Sequence, residues 1–287
     1  MSLLHRLGDS GQEVKRIQRE VKWYALGGLV EDGEFGPQTL HAVKEFQRQR
    51  GLVDDGVVGP KTREKLKLNI YAGIDVSRWN GNVPWSQVDK RQVEFAWVKC
   101  SQGVDWYDKC REHNFIGCRS EGILVGGYHF PSPHIGGSQD PRREVQQFLR
   151  ALGPIQKGDL LPVLDLEAGI KGDPDFNRQW ALEFLQEFEN ETGLRCVVYT
   201  AKWYVNSYLR KKIGDLKNYP LWVADYSDTR NEPDSLCGWD EYAVWQWTGS
   251  GHVDGLGRTG IRKCDRNWLP GGPSALKKLQ VQDGVNF

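Results

Sequence analysis

The sequence lacks net charge, long apolar runs and nearly all methionine, and each shortage excludes something. Thirty-eight Lys and Arg balance 38 Asp and Glu over 287 residues. A general polyanion binder needs a basic excess, and no basic run or nucleic-acid motif is present, so nucleic acid is not an expected partner. No apolar stretch approaches the roughly 20 residues of a membrane span, so membrane insertion is not expected either. The opening Met1-Ser2-Leu3-Leu4-His5-Arg6 is too short and polar for a secretory signal, and the expectation is cytoplasmic synthesis without an export signal. Cys100, Cys110, Cys118, Cys196, Cys237 and Cys264 show no metal-ligand spacing. Most lie in or beside apolar runs, as buried free thiols do. The spacing leaves Cys110–Cys118 and Cys237–Cys264 open as bridges. No metal-ligand set or cofactor motif is found, and neither group is expected.

Tryptophan, by contrast, is plentiful. Twelve Trp stand beside one Met, a surplus that suits a packed core and also stacking on sugar rings. Hydrophobic residues at 39% and charged residues at 26% are those of a soluble globular protein, long enough for one large domain and a small one.

The most informative stretch is Leu161-Pro162-Val163-Leu164-Asp165-Leu166-Glu167-Ala168. Its β-branched and leucine content, with Pro162 near the start and Gly169 after the end, predicts a buried strand. Residues i and i+2 of a strand share a face. Val163, Asp165 and Glu167 then point one way, and Leu164 and Leu166 the other. The two carboxylates stand about 6–7 Å apart at Cα, two strand rises. Acids that close resist ionising together. Their pKa values separate, which is the condition for acid–base work at a glycosidic bond. Alone, such a pair is as readily a solvated strand end; the rest of the chain decides.

Residues 1–68 carry an internal repeat. Asp32-Gly33-Glu34-Phe35-Gly36-Pro37-Gln38-Thr39 recurs as Asp55-Gly56-Val57-Val58-Gly59-Pro60-Lys61-Thr62. Each Asp-Gly marks a turn, and each Gly-Pro opens a helix with Pro in its first turn. Helical spacing of Val14, Ile17 and Val21, then of Leu40, Val43 and Phe46, predicts helices before and between the loops. A small three-helix domain is expected. Gly11 to Leu66, with Gln18, the two DG-x-x-G-x-x-T loops, Phe46-Gln47 and Gly51-Leu52, resembles the peptidoglycan-binding type 1 module. That resemblance implies a domain that holds an enzyme on bacterial cell wall. Lys67 to Tyr71 runs without a long linker into a second domain, taken as 69–287.

From Gly73 onward strand and helix patterns alternate. Strands are predicted at 73–77, 94–100, 122–130, 160–168, 195–200, 220–226, 242–248 and 261–266, with helices at 85–91, 105–116, 140–151, 176–192 and 201–212. Eight strands with interposed helices predict an α/β fold of the βα-barrel type, whose chemistry sits at the C-terminal strand ends. The last three strands are joined by short Gly-rich segments. Acids and aromatics crowd the strand ends: Asp75; Tyr128 and Phe130; Asp165 and Glu167; Tyr199; Trp222, Asp225 and Tyr226; Gln246 and Trp247; Asp265.

Those same segments carry a second resemblance. Gly73-Ile74-Asp75-Val76-Ser77, Val98-Lys99-Cys100-Ser101-Gln102-Gly103, Tyr128-His129-Phe130, Pro162 to Glu167, Tyr199-Thr200, Trp222 to Tyr226, Trp245-Gln246 and Asp265-Arg266-Asn267 together resemble glycoside hydrolase family 25, the Chalaropsis-type lysozymes or N-acetylmuramidases. The resemblance spans 73–268 in order. It implies a flattened (β/α)5β3 TIM-like barrel and hydrolysis of the β-1,4 bond from N-acetylmuramic acid to N-acetylglucosamine in bacterial peptidoglycan. It maps the acidic cluster onto Asp75, Asp165, Glu167 and Asp265. Two positions depart from the family. Many members carry Glu where this chain has Gln102, and an amide cannot pass the catalytic proton; Trp106 stands where a smaller apolar residue or Tyr is usual.

Glu167 is therefore expected to be the general acid. Asp165 either orients the substrate's 2-acetamido group or acts directly as nucleophile or base. Asp75 and Asp265 hold neighbouring groups and tune the field. Tyr128, Phe130, Tyr199, Trp222, Asp225, Tyr226, Gln246 and Trp247 are candidates to line sugar subsites. A chitinase-like barrel would want a longer D-x-x-D-x-D-x-E run, and a wall-binding protein with a dead barrel would not keep the acids. A wall module joined to one catalytic domain fits a phage or prophage endolysin. Such a protein is made in the bacterial host cytoplasm, acts as a monomer and reaches the wall after release.

Overall fold

A computed structural model describes residues 4–25, 28–133, 139–169, 173–226, 232–256 and 263–286. The chain divides into two compact units, Met1–Tyr71 with Pro270–Lys278, and Ala72–Leu269 with Leu279–Phe287. The first unit thus runs three residues past the boundary expected at 68. It also takes in a C-terminal segment that the sequence reading assigns to the barrel. Backbone pairing gives the reason: the Gly272 N–H donates to the Asn69 carbonyl at 2.9 Å.

The first unit is built on α1 (Gln12–Val21), α2 (Pro37–Gln49) and α3 (Pro60–Lys65). Pro37 and Pro60 open their helices after Gly36 and Gly59, where a missing N–H costs nothing. Val14, Ile17, Val21, Phe35, Val43, Phe46 and Val58 form one core. The repeat is a repeat of hydrogen bonds. Buried Gln18 reaches Asp32 Oδ1, the Glu34 carbonyl and the Thr39 hydroxyl, and accepts from the Gly33 N–H. Gln47 does the same with Asp55, Val57, Thr62 and Gly56. Gly33 and Gly56 sit at φ 85 and 76, a region that disfavours side chains.

Gln47→Ala should therefore strip a buried loop of its partners, at about 1–3 kcal/mol. Hydrogen exchange should show protection across 42–66 falling about tenfold or more while strand 95–102 keeps its own. Unchanged protection in 42–66 would refute the role given to Gln47.

The second unit is a closed barrel. Its strands are β1 (Ile70–Val76), β2 (Phe95–Gln102), the two-residue arm β3 (Trp106–Tyr107), β4 (Leu124–Phe130), β5 (Val163–Asp165), β6 (Val197–Ala201), β7 (Leu221–Ala224), β8 (Val244–His252) and β9 (Lys263–Pro270). Sheet order is β1-β9-β8-β7-β6-β5-β4-β2-β3, and an added β1–β2 pairing closes a ring of eight strands without β3. All pairs from β1 round to β8 are parallel; β8–β9 is antiparallel. Helices α4 (Arg111–Ser120), α5 (Pro141–Leu152), α6 (Pro174–Thr192) and α7 (Lys202–Tyr208) lie between strands. The chain's last helix, α8 (Gly272–Lys278), belongs to the first unit. Asp140 and Asp173 cap α5 and α6 by accepting the N–H of Arg142 and Phe176, satisfying otherwise orphan donors. Among the described residues no helix is long and apolar enough to cross a membrane.

The barrel core is aromatic. Trp97 stacks on Trp222 with centroids 4.6 Å apart, and a Cβ at Gly126 would come within 2.6 Å of the Trp97 indole nitrogen. Between β2, β4 and α5, His129 joins the Ser101 hydroxyl at 2.8 Å and the Glu144 carboxylate at 2.9 Å, all fully buried. That network satisfies polar groups which would otherwise weaken the contact of α5 with β4.

Several expected elements differ. The strand expected over 160–168 spans only Val163–Asp165, because the Glu167 N–H turns back to the Asp165 carbonyl at 3.1 Å and ends the ladder. The helix expected at 85–91 is one 3-10 turn, Trp85–Gln87. In 105–116 the first residues pair with β2 instead, and α4 starts at Arg111. The helix expected to 212 stops at Tyr208, before Arg210 and Lys211 at φ 47 and 62. Of the strand expected at 261–266, residues 261–262 lie outside the described residues. All six cysteines are buried and free, so neither open bridge is formed.

Candidate active site

Four carboxylates meet at one mouth, from the C-terminal ends of β1 and β5 and the start of the antiparallel β9. Asp75 lies one residue before the end of β1, Asp165 ends β5, Glu167 follows two residues on, and Asp265 comes from β9. The orientation of Asp75 is set by two amides. Gln246 accepts from the Tyr199 hydroxyl at 3.0 Å and the Tyr226 hydroxyl at 2.9 Å through Oε1. Its nitrogen must then face Asp75 Oδ2, to which it donates at 2.9 Å. Asn267 accepts from the Trp222 indole at 2.9 Å and donates to the same Asp75 oxygen at 2.8 Å. Each phenol or indole thus fixes which way its amide points.

Burial dominates the electrostatics. It pushes Asp75 up to about 6, against the two amide donors that favour its charge. It pushes Asp265 up to about 8, helped by Asp75 and Glu167. Asp165 is raised well above the carboxylate range by burial and then by Glu167. Glu167 is raised by burial and then by Asp75, with Lys99 opposing. Lys99 is itself lowered by burial, although Asp165, Asp108 and Glu167 draw it the other way. Four acids and one amine sharing a water-poor site hold fewer charges than they would in water. Asp165 Oδ1 is buried and has no hydrogen-bond partner among the described residues.

A cleft with about 430 Å³ of water-accessible space opens beside Glu167, bounded by Tyr199, Lys202, Trp203, Asn206, Asp225 and Tyr226. Tyr226 and Trp203 are exposed, so their rings are available to a ligand. Tyr128 is half-buried, and Asp75, Asp165 and Asp265 all act on its hydroxyl. Phe130 lies under Lys99, 4.4 Å from its amine. Asp225 accepts the Ser235 N–H at 3.0 Å. Trp247 packs on Trp268 at 5.2 Å, its indole nitrogen unpartnered among the described residues.

Two expected subsite residues fall elsewhere. Trp222 is core, stacked under the cluster, because β7 turns its side chain inward. Gln246 is buried and acts through Asp75. Sequence reasoning gave no role to Lys99, Asn267 or Trp203. A lone cation in the otherwise apolar Phe95–Cys100 run was the available signal for Lys99. Lys99 also explains Gln102, whose Oε1 accepts from the amine at 3.1 Å.

The profile of glycosyl hydrolases family 25 matches residues 74–256. This chain belongs to that family. The profile of a peptidoglycan binding domain matches residues 10–66. YegX, an uncharacterized protein of Escherichia coli K12, is 30% identical over 189 residues, covering 64% of this chain and 65% of its own length. The chain thus spans just under two thirds of that relative. Lysozyme M1 of Streptomyces globisporus is 27% identical over 215 residues, 72% of this chain and 70% of the relative. The crystal structure of a bacterial lysozyme from Streptomyces coelicolor superposes with a TM-score of 0.65 at 26% identity, covering 73% of this chain and 96% of that one.

Proposed function

We propose that this family 25 chain is a muramidase that cleaves the β-1,4 bond from N-acetylmuramic acid to N-acetylglucosamine in peptidoglycan. One observation carries the reading: Glu167, its pKa raised by burial and Asp75, opens onto a cleft beside Asp165, whose Oδ1 lacks a partner among the described residues. Glu167 protonates the leaving glycosidic oxygen as the bond to the anomeric carbon breaks. Asp165 Oδ1 takes the N–H of the 2-acetamido group and turns its carbonyl oxygen toward the anomeric carbon, which that oxygen attacks. Water then opens the cyclic intermediate, giving its proton to Glu167. Asp75, fixed by Gln246 and Asn267, and Asp265 tune the field.

The barrel is read as the flattened (β/α)5β3 form; the lack of a helix among the described residues between β7 and β9 supports this. Residues 1–68 serve retention on the wall and 69–287 serve chemistry, with one chain supplying every group of the site. The pairing of one wall module with one hydrolase barrel supports a lysin that is made in a bacterial cell and acts on the wall after release.

Sacculi digested and then reduced with borohydride should show reduced muramic acid with no rise in reduced glucosamine. The opposite pattern would make the enzyme a glucosaminidase. The freshly released anomer should be the retained one under acetamido assistance; an inverted product would mean that Asp165 activates water directly.

A further inference from the structure

The mouth of the barrel carries another built feature, outside the carboxylate cluster. Arg78 follows β1, and its backbone N–H is held by Asp108 Oδ2 at 2.8 Å. Asp108 is fully buried and also takes the Cys110 N–H at 2.9 Å. The loop after β1 is thereby tied to the segment that follows the β3 arm. The Arg78 guanidinium carbon lies 4.7 Å from the ring centre of Trp79 and 5.0 Å from that of Trp106. Two indoles hold the planar group and leave N–H edges for a ligand. Among the described residues no carboxylate pairs with that guanidinium.

The row continues inward. The Lys99 amine lies 5.6 Å from the Trp106 ring, and Lys99 faces Asp165 and Glu167. Outward, Trp79 is 73% exposed, and Arg111 lies 4.8 Å over the Tyr107 ring. A neutral sugar chain needs none of these cations. An anionic group brought to a mouth with four carboxylates needs one placed for it.

We propose that Arg78, held between Trp79 and Trp106, is a subsite for a carboxylate of the peptide stem on the muramic acid residue. It makes the enzyme favour stems with free carboxylates over amidated ones. The proposal rests on the muramidase reading. A guanidinium takes a carboxylate through two parallel N–H···O bonds, a geometry an ammonium lacks. The indoles hold the fork in place, so little side-chain freedom is lost on binding.

Soluble glycan chains with intact stems test this in two forms, carboxylates free and carboxylates coupled to methylamine. The wild-type enzyme should show a KM about tenfold lower for the free form, with kcat similar for both. Arg78→Gln should bring the KM ratio close to one, and Arg78→Lys should restore part of it. The wild-type preference should shrink as salt is raised. Cleavage of both forms without discrimination, or an Arg78→Gln enzyme that keeps the tenfold preference, overturns the subsite alone. No cleavage of either form by the wild-type enzyme overturns the muramidase reading and the subsite with it.

Discussion

Glu167→Gln should lower turnover on soluble glycan chains about 10²–10⁴-fold, the range general acid catalysis supplies. The amide keeps the shape of the side chain and cannot give up a proton to the leaving oxygen. The Glu167 side chain makes no hydrogen bond or ion pair among the described residues, so the exchange breaks no contact. Circular dichroism and the melting temperature should hold or rise. Raised by burial and by Asp75, the wild-type acid keeps its proton to higher pH than a solvated Glu. The alkaline limb of the wild-type kcat/KM profile should therefore lie above the ordinary value of a solvated Glu, and the residual rate of the variant should lose that limb. Gln102 cannot take over, since it is an amide engaged with Lys99. A variant with near-native rate would move the acid elsewhere, with Asp75 the next to be replaced.

The carboxylates were legible in the sequence because strand-end acids in a barrel pattern converge whatever the side-chain details. Strand alternation put Glu167 beside Asp165 by an incomplete route. It assumed an unbroken strand, whereas the backbone turns after Asp165. Other parts needed three dimensions. Gln246 and Asn267 meet at one oxygen of Asp75 only because β9 pairs antiparallel to β8 and next to β1, and alternation along a strand does not reveal direction. Trp222 resembled a rim aromatic, since a four-residue strand carries too little pattern to separate inward from outward. The three-helix unit was readable almost residue by residue, because its repeat encodes the same glutamine-centred loop twice.

Asp265→Asn should make the protein more stable and the gain should grow with pH. A carboxyl whose folded pKa lies above its unfolded value binds its proton more tightly in the folded chain. Its contribution to stability is full below about pH 4, the unfolded value, and is lost as pH rises through the folded one. For Asp265, pushed up to about 8, that window runs from about pH 4 to about pH 8; for Asp75, pushed up to about 6, it closes earlier. Near pH 4 the variant and the wild-type protein should melt at nearly the same temperature. Near pH 8 the variant no longer has to bury that charge. One pKa unit is about 1.4 kcal/mol, and the shift is shared with coupled neighbours, so roughly 3 kcal/mol is expected. For a domain of this size that is about 5–10 °C in Tm. Activity should fall in the same variant, because the repulsion that weakens the fold also sets the protonation of the cluster. Melting curves at the two pH values decide it. A gain of equal size at pH 4 and pH 8 would mean that Asp265 is destabilising for reasons of packing, and that its charge is not confined.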